Sequence, residues 1–239
     1  GKGRMEEPEA IVDALDAYFD SLTPSLLRGK RVLITAGPTY EKIDPVRFIG
    51  NYSTGKMGFA IAEECRRRGA EVVLVAGPVS QTCHKAIRRV DVESCEEMFN
   101  AANEAMDEAD IAVMAAAVAD YRPAAVADDK IKKKDGDLSI AVERTPDILG
   151  TIGPKKKGQF LCGFSMETRD MLANSSAKLE KKNLDMVVAN NLKVAGAGFG
   201  VDTNVVTFIT PDGARELPLM SKDDVADAIL DEILARKSK

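Results

Sequence analysis

The chain has 239 residues, with 33 Lys or Arg against 38 Asp or Glu and a formal net charge of −5. Its length favours one globular domain with a sizeable core, or one such domain with a short appendage. No stretch approaches the roughly 20 apolar residues that a membrane-spanning helix needs, so we expect no membrane protein. The acidic balance also argues against a nucleic-acid-binding protein, because such proteins neutralise phosphates with clustered basic residues.

Cysteine usage favours a reducing compartment. The 4 cysteines form no C-x-x-C pair and no disulfide framework of the kind found in short secreted chains. No secretory signal stands at the start, and the first residue is Gly rather than Met. We therefore expect a cytoplasmic protein that is a fragment or a processed form of a longer chain, with its cysteines in structural roles.

The first predicted element is an amphipathic helix over residues 7–22, where apolar residues recur at helical spacing. The proline-containing segment 23–25 ends it, because a proline ring cannot continue the helical ladder. We place a domain boundary near Gly29. Residues 1–28 then form a tail and a linker helix, and residues 29–239 form the main domain.

Beyond this boundary, short apolar runs alternate with helical patterns. The runs cover residues 31–36, 71–76, 111–117, 160–164 and 186–189, and the helical patterns cover residues 57–68, 94–107 and 170–182, with a last helix from Ser221. Continuous apolar strands separated by helices indicate a parallel sheet covered on both faces. A β-hairpin is predicted where two short strands flank the turn Pro211-Asp212-Gly213.

Ligands of open α/β sheets bind at the carboxyl ends of the strands, so the loops there are the candidate sites. The first loop, residues 36–58, far exceeds the usual length of about two to six residues. Its end, Gly50-x-x-x-x-Gly55-Lys56, resembles a P-loop, but Met57 stands where Ser or Thr would bind magnesium. We expect an anion site made by the helix N-terminus and Lys56. Plain helix capping by the small polar residues before it is the alternative.

Two later segments are also candidate sites. The small residues 114–117 would let a flat ligand approach the main chain, and Asp120 just beyond them would accept from a ribose hydroxyl, contact a metal or cap the next segment. The charged segment 128–135 is either a solvated loop or a lid that brings Lys130 to a polyphosphate.

The residues alone leave two alternative functions. The spacing Tyr52-x-x-x-Lys56 is that of short-chain dehydrogenases, although no G-x-G-x-x-G follows the first strand, so a nicotinamide-dependent reductase is a weak alternative. A regulatory module that binds a nucleotide without turnover is compatible with the same fold. His84 has no nucleophilic partner by pattern, so triad chemistry is not indicated.

An ordered series of motifs resembles bacterial phosphopantothenate cysteine ligase, also called phosphopantothenoylcysteine synthetase. The motifs are Gly37-Pro-Thr, Asp44-Pro-Val-Arg, Asn51-x-Ser-x-Gly-Lys-Met-Gly58, Ala115-Ala-Ala-Val-Ala-Asp-Tyr121, Lys130-Ile-Lys-Lys133, Pro146-Asp-Ile148, Gly163-Phe-x-x-Glu-Thr168 and Val188-Ala-Asn-Asn191. The resemblance implies an α/β fold, with a Rossmann-like, mostly parallel sheet, helices on both faces and a β-hairpin and lid region, in a homodimer. It implies a ligase of coenzyme A biosynthesis that joins 4'-phosphopantothenate to L-cysteine. CTP and Mg²⁺ would serve the reaction, which passes through phosphopantothenoyl-CMP and releases pyrophosphate and CMP.

The resemblance also assigns residues, with Asn51 contacting the reactive intermediate and Lys130 as the lysine of the flexible loop. The nucleotide-binding positions that it implies are Met114, Ala115, Ala116, Asp120, Lys130, Pro146, Asp147, Ile148, Leu149, Phe164, Lys178 and Lys182. The expected phosphate and substrate loop comprises Gly37, Ser53, Thr54, Gly55 and Lys56. Metal ligands are not assigned. Thr54 and Thr145 depart from the commonest family pattern, which has Ser and Asn there, and Thr145 puts the nucleotide fit in question.

The first residues carry a second resemblance. Gly1-x-Gly-Arg-Met5, followed by Glu7-Pro8, is similar to the end of the FMN-dependent phosphopantothenoylcysteine decarboxylase, which many bacteria fuse ahead of the ligase. The chain is thus expected to be the C-terminal half of a bifunctional polypeptide, with FMN in the upstream decarboxylase domain and no flavin here. The expected partners are 4'-phosphopantothenate, L-cysteine, CTP, a second copy of the chain and that upstream domain, without nucleic acid or membrane.

Overall fold

The computed structural model describes residues 5–133, 137–167, 170–191 and 198–237. Most of the motif at residues 1–5, part of the charged segment 128–135, and the end of the motif at residues 163–168 lie outside the described residues. The helices are α1 (Pro8–Leu22), α2 (Lys56–Arg67), α3 (Cys95–Met106), α4 (Ile148–Lys155), α5 (Met171–Lys181) and α6 (Lys222–Lys237). The strands are β1 (Arg31–Ala36), β2 (Tyr40–Lys42), β3 (Phe48–Gly50), β4 (Glu71–Ala76), β5 (Arg88–Asp91), β6 (Ile111–Met114), β7 (Tyr121–Pro123), β8 (Val142–Arg144), β9 (Phe160–Glu167), β10 (Met186–Asn191), β11 (Thr203–Asn204), β12 (Val206–Thr210), β13 (Gly213–Glu216) and β14 (Met220–Ser221).

An eight-stranded sheet forms the centre of the fold, in the order β13-β12-β10-β9-β6-β1-β4-β5. The strands from β10 to β5 run parallel to one another. The antiparallel hairpin β12–β13 extends the sheet beyond β10. The predicted α/β class, the mostly parallel sheet and the hairpin are therefore confirmed.

Each face of the sheet has its own hydrophobic core, because successive side chains of a strand point to opposite sides. Val32 and Ile34 of β1 pack in the cluster that includes α2 and α6, whereas Leu33 packs in the cluster that includes α3, α4 and α5. The prediction of helices on both faces is confirmed. Among the described residues, no helix combines the length and the hydrophobicity that a membrane span requires.

Helix α2 lies unusually close to β1. A Cβ added at Gly58 would stand 2.5 Å from the Cβ of Ala36, so a larger residue here would push the helix off the strand. The C-terminal end of α2 is joined to α6 by the buried Arg68, which donates from Nη1 to Asp231 at 2.7 Å and also pairs with Asp227. These contacts hold α2 between the central strand and the last helix.

Helix α1 forms as predicted, but none of its residues is buried. The side chain of Phe19 is 61% exposed. Ion pairs attach the helix to the rest of the chain, among them one of 2.6 Å between Asp13 and Lys85. The buried core begins after the helix, at Leu27, which is 1% exposed. The apolar pattern therefore predicted the helix correctly, but the apolar side chains of α1 do not enter the buried core.

The sequence patterns missed the short elements around the sheet. Helix α4 contains two glycines and Pro154, which leave too few apolar residues to show a helical period. The long first loop contains the hairpin β2–β3, where the rings of Tyr40 and Phe48 stack at 3.8 Å. Strand β6 ends at Met114, earlier than predicted, and Ala117 forms an isolated bridge with Pro38.

Candidate functional site

A cavity of about 640 Å³ opens at the carboxyl end of β6 and beside Phe164 of β9, between α4 and α5. The predicted nucleotide-binding residues that line it are Met114, Ala116, Asp120, Pro146, Asp147, Ile148, Leu149, Phe164, Lys178 and Lys182. Its other lining residues are Thr35, Val118, Tyr121, Arg144, Thr145, Asn174, Ala177 and Lys181. The structure thus brings most of the predicted positions together at one edge of the sheet.

Ala115 and Lys130 are not among the lining residues. The side chain of Ala115 packs against the core on the opposite face of the sheet from that of Ala116, because successive side chains of an extended segment point to opposite sides. The main-chain N–H of Ala116 points back to the hydroxyl of Thr35 at 3.3 Å. The role of Ala115 in nucleotide binding, which was expected through the main chain, stays a prediction.

One wall of the cavity is the N-terminus of α4. Asp147 caps this helix by accepting from the N–H of Gly150 at 2.8 Å, and its carboxylate also pairs with the ammonium of Lys182. A Cβ at Gly153 would stand 1.9 Å from the main-chain oxygen of Lys182, so the two helices touch at their main chains. Asp147 and Lys182 are therefore fixed relative to each other by close packing.

The opposite wall is basic and comes from α5. The ammonium of Lys178 donates to the main-chain oxygen of Phe164 at 2.6 Å, which draws this side chain towards the middle of β9. Lys181 and Lys182 follow one turn later, and Arg144 faces the same space. Burial lowers the pKa of Lys182, because the ammonium loses water. Such a cluster of cations suits an anionic ligand with several charged oxygens.

Sequence reasoning missed Lys181, Asn174 and Arg144 in this cluster. Asn174, Lys178 and Lys181 recur at spacings of four and three on α5, a signal that was present in the sequence. Arg144 ends the short strand β8, which had no recognisable pattern.

Thr145 lines the cavity near Asp120. The hydroxyl of Thr145 donates to the main-chain oxygen of Ala119 at 2.6 Å, and its N–H donates to that of Asp120 at 3.1 Å. Thr145 therefore supports the loop that carries Asp120, whose own side chain is exposed at the cavity.

Asn51 lies at the edge of this cavity, where it joins two loops. Its side-chain Nδ2 donates to the main-chain oxygens of Ala117, at 2.8 Å, and of Val118, at 3.0 Å. Val118 itself lines the cavity. Because both N–H groups of the amide are engaged, the donation to an acyl carbonyl that the resemblance implied requires one of these bonds to open.

The predicted phosphate and substrate loop lies apart from this cavity, since none of its residues lines it. The hydroxyl of Thr54 donates to the main-chain oxygen of Phe199 at 2.7 Å, and the ammonium of Lys56 pairs with Asp202 at 2.6 Å. The donors expected to bind an anion thus contact the segment 198–202. Gly55, with a φ of 77°, is the N-cap of α2 and receives no side-chain cap. Capping of α2 by its preceding side chains is therefore wrong as an alternative.

Gly37 and Ser53 stabilise the main chain of these loops. Gly37 has a φ of 80°, a conformation that glycine adopts readily, and Ser53 accepts from the N–H of Gly55 at 3.3 Å. Tyr52 is 94% exposed and precedes α2 rather than lying on it. Tyr52 and Lys56 therefore do not share a helix face, which removes the dehydrogenase-like pair.

Lys130 is exposed on a segment that is tied to the β2–β3 hairpin. Ala127 donates to the main-chain oxygen of Ile43 at 3.0 Å, and Ile131 donates from its N–H to Asp44 at 3.1 Å. The guanidinium of Arg47 in turn donates to the main-chain oxygen of Ile131 at 3.1 Å. Lys130 is thus held between two anchored residues.

The described residues contain no group of three or more His, Cys, Asp or Glu side chains that could hold a metal ion. Burial raises the pKa of the thiols of Cys65, Cys95 and Cys162, so these cysteines stay protonated at neutral pH. Their predicted structural role agrees with this.

A family model described as DNA/pantothenate metabolism flavoprotein C-terminal domain matches residues 27–236. The chain belongs to this family. Its match begins after α1, at the first residue of the buried core. The resemblance found in the sequence motifs is therefore confirmed.

Relatives of known name extend this comparison. The coenzyme A biosynthesis bifunctional protein CoaBC of Bacillus subtilis (strain 168) is 51% identical over 98% of this chain and 58% of its own length. A cysteine/cysteine sulfinic acid decarboxylase of an unknown prokaryotic organism is 48% identical over 98% of this chain and 67% of its own length. The crystal structure of the C-terminal domain of a CoaBC protein is 43% identical, with a TM-score of 0.76, and the match covers 89% of this chain and 97% of that domain. The chain spans about three fifths of the length of the Bacillus subtilis relative.

Proposed function

We propose that this chain is a phosphopantothenate cysteine ligase of coenzyme A biosynthesis that uses CTP. The observation that carries the proposal is the cavity between α4 and α5, where the lining includes four cationic side chains together with Met114 at the end of β6 and Ala116 just after it. The cations are Arg144, Lys178, Lys181 and Lys182. Four cations in one cavity match a triphosphate better than a neutral ligand. Family membership and the name of the Bacillus subtilis relative support the pathway.

The reaction takes place in two steps. The carboxylate of 4'-phosphopantothenate attacks the α-phosphorus of CTP, pyrophosphate leaves, and phosphopantothenoyl-CMP forms. The amine of L-cysteine then attacks the acyl carbon, and CMP leaves with the electron pair of the broken bond. Activation is needed because a free carboxylate is a poor acyl donor.

In this proposal the α5 lysines stabilise the charge that grows on the leaving pyrophosphate. Lys178 and Lys182 are placed by the contacts of their ammonium groups with Phe164 and Asp147, so little reorganisation accompanies the reaction. Mg²⁺, when bound with the nucleotide, supplies further neutralisation of the triphosphate. Triphosphate oxygens would be its chief ligands, with the exposed carboxylate of Asp120 at the same cavity.

Asn51 is proposed to act on the acyl carbonyl of the intermediate, and Lys130 on the charge that develops on the leaving pyrophosphate. Asn51 holds Ala117 and Val118 in place and reaches the intermediate only by giving up one of those bonds. Lys130 adds its charge from the segment anchored on Asp44. The proposal also includes a cytoplasmic homodimer and, in a longer polypeptide, an upstream FMN-dependent decarboxylase domain.

Release of pyrophosphate from CTP or ATP by the purified chain tests this proposal, with Mg²⁺ and 4'-phosphopantothenate, with and without L-cysteine. We expect release with CTP, and CMP only after cysteine is added. Lys178→Met should lower the rate at least about tenfold. The matched control Lys157→Met, on an exposed lysine outside the cavity, should not. No release with either nucleotide from the folded chain would reject the ligase.

A further inference from the structure

Asp44 lies in the connection between β2 and β3, and its side chain is fully buried. One of its oxygens, Oδ1, accepts from the N–H groups of Val46 and Arg47, both at 2.9 Å. The other, Oδ2, accepts from the guanidinium of Arg47 and from the N–H of Ile131. The two oxygens therefore have different tasks.

The bonds of Oδ1 are local, because they close the turn between β2 and β3. The bond from Ile131 to Oδ2 crosses 87 residues of sequence. A turn of this kind needs only the first oxygen. The second oxygen and the Arg47 guanidinium are thus available for a separate purpose.

Together, Asp44 and Arg47 bind both polar groups of one peptide residue. Ile131 donates its N–H to Asp44 at 3.1 Å, and its main-chain oxygen accepts from Arg47 at 3.1 Å. The Arg47 guanidinium also keeps the pKa of Asp44 well below its ordinary value, so the carboxylate stays ionised at neutral pH. The main chain at Ile131 is therefore fixed in translation and rotation, directly beside Lys130.

We propose that Asp44 is a positioning residue that acts through Lys130. This inference rests on the proposed ligase function and deepens it. Asp44 and Arg47 hold Ile131, and Ile131 in turn fixes the main chain from which the neighbouring Lys130 would extend its ammonium towards the leaving pyrophosphate. Asp44 itself contacts no substrate.

Asp44→Asn separates the two tasks, because the remaining oxygen can still accept from the turn while the new NH₂ group cannot accept from Ile131. We expect kcat for pyrophosphate release to fall about 10- to 100-fold, with KM for CTP changed less than about threefold. Asp129→Asn makes the same chemical change on an exposed carboxylate of the same segment and should leave both values unchanged. Arg47→Lys keeps the charge beside Asp44 and should give an intermediate loss.

A double-mutant cycle with Lys130→Met tests whether the effect passes through that lysine. In the Lys130→Met background, Asp44→Asn should lower kcat less than about twofold further. If the fold-losses in kcat of Asp44→Asn and Lys130→Met multiply in the double variant, Asp44 acts independently of Lys130, and the inference is overturned. Thermal melting of each variant identifies one that has simply failed to fold, and Arg47→Lys then takes its place in the cycle.

Amide hydrogen exchange gives a readout that does not depend on the reaction. Asp44→Asn should speed exchange at Ile131 while the amides of Val46 and Arg47 stay protected. Unchanged exchange at Ile131 would overturn the inference even if the ligase activity is established. If wild-type chain releases no pyrophosphate, the proposed function fails, and exchange at Ile131 still decides whether Asp44 fixes this segment.

Discussion

The side-chain amide of Asn51 lies 2.8 Å from the main-chain oxygen of Ala117, and so connects two loops that are 66 residues apart in sequence. In Asn51→Asp, a carboxylate oxygen replaces the amide nitrogen that donates to the main-chain oxygens of Ala117 and Val118. Both hydrogen bonds are lost, and the carboxylate oxygen faces two carbonyl oxygens that repel it. We expect the variant to form the acyl-CMP poorly or to stall there, with turnover reduced about 100-fold or more. Single-turnover assays that separate pyrophosphate from CMP release measure this.

Asn100→Asp, on the exposed surface of α3, makes the same change away from the cavity and is the matched control. Wild-type turnover by Asn51→Asp would remove Asn51 from the mechanism.

Lys182 should give nucleotide binding a distinctive pH dependence. Burial lowers its pKa below the ordinary 10.5, so the free protein loses this ammonium at a lower pH than an exposed lysine would. The contribution of Lys182 to CTP affinity is therefore complete below the lowered pKa and weakens as the pH rises through it. Lys182→Arg should abolish this decline, since arginine stays charged.

Calorimetric titration of CTP from neutral to alkaline pH measures the effect. Lys157→Arg, on the exposed surface, should leave the profile unaltered. An identical profile for wild type and Lys182→Arg would show that another group controls the affinity.

Gly58 should be intolerant of a methyl group. An added Cβ would stand 2.5 Å from the Cβ of Ala36, and overpacking of this kind costs about 1–3 kcal/mol. That cost exceeds the gain of up to about 1 kcal/mol that alanine brings to a helix. Urea denaturation should thus show a lower midpoint for Gly58→Ala. Gly200→Ala, where nothing lies within 4 Å, should unfold near the wild-type midpoint, and equal losses in both variants would contradict the close-packing argument.

Substitutions on the two sides of the boundary between α1 and the main core should change the free energy of unfolding very differently. Leu27 is 1% exposed, and Leu27→Ala should cost about 2–5 kcal/mol. Phe19 is 61% exposed, and Phe19→Ser should change stability by less than about 0.5 kcal/mol. Chemical denaturation of both variants checks this, and a large cost at Phe19 would mean that α1 packs on the core after all.

The central sheet was predictable because its strands are continuous apolar runs, a pattern set by burial on both faces. Helix α4 was not, since its glycines are selected by contact with α5: a Cβ at Gly153 would collide with the oxygen of Lys182. Contacts of this kind are invisible in a linear pattern.

The candidate site also had residues that the sequence could predict and contacts that it could not. Family motifs identified Lys178 and Lys182, and helical spacing would have added Lys181. The partners of Asn51 lie on a distant loop, and its use of both N–H groups depends on a geometry that no spacing encodes. The assigned roles of these residues remain predictions that the experiments above address.

The link from Arg68 to Asp227 and Asp231 also bears on how the chain folds during its synthesis. The core between the sheet and α2 is completed by Val225, Ile229 and Ile233 of α6, which follows every strand of the sheet in the sequence. A ribosome-bound chain that lacks α6 should therefore leave this face open to protease and to chaperones. Final closure of the domain would then wait until α6 has left the ribosome, and a nascent chain without α6 that is already protease-resistant over α2 would contradict this.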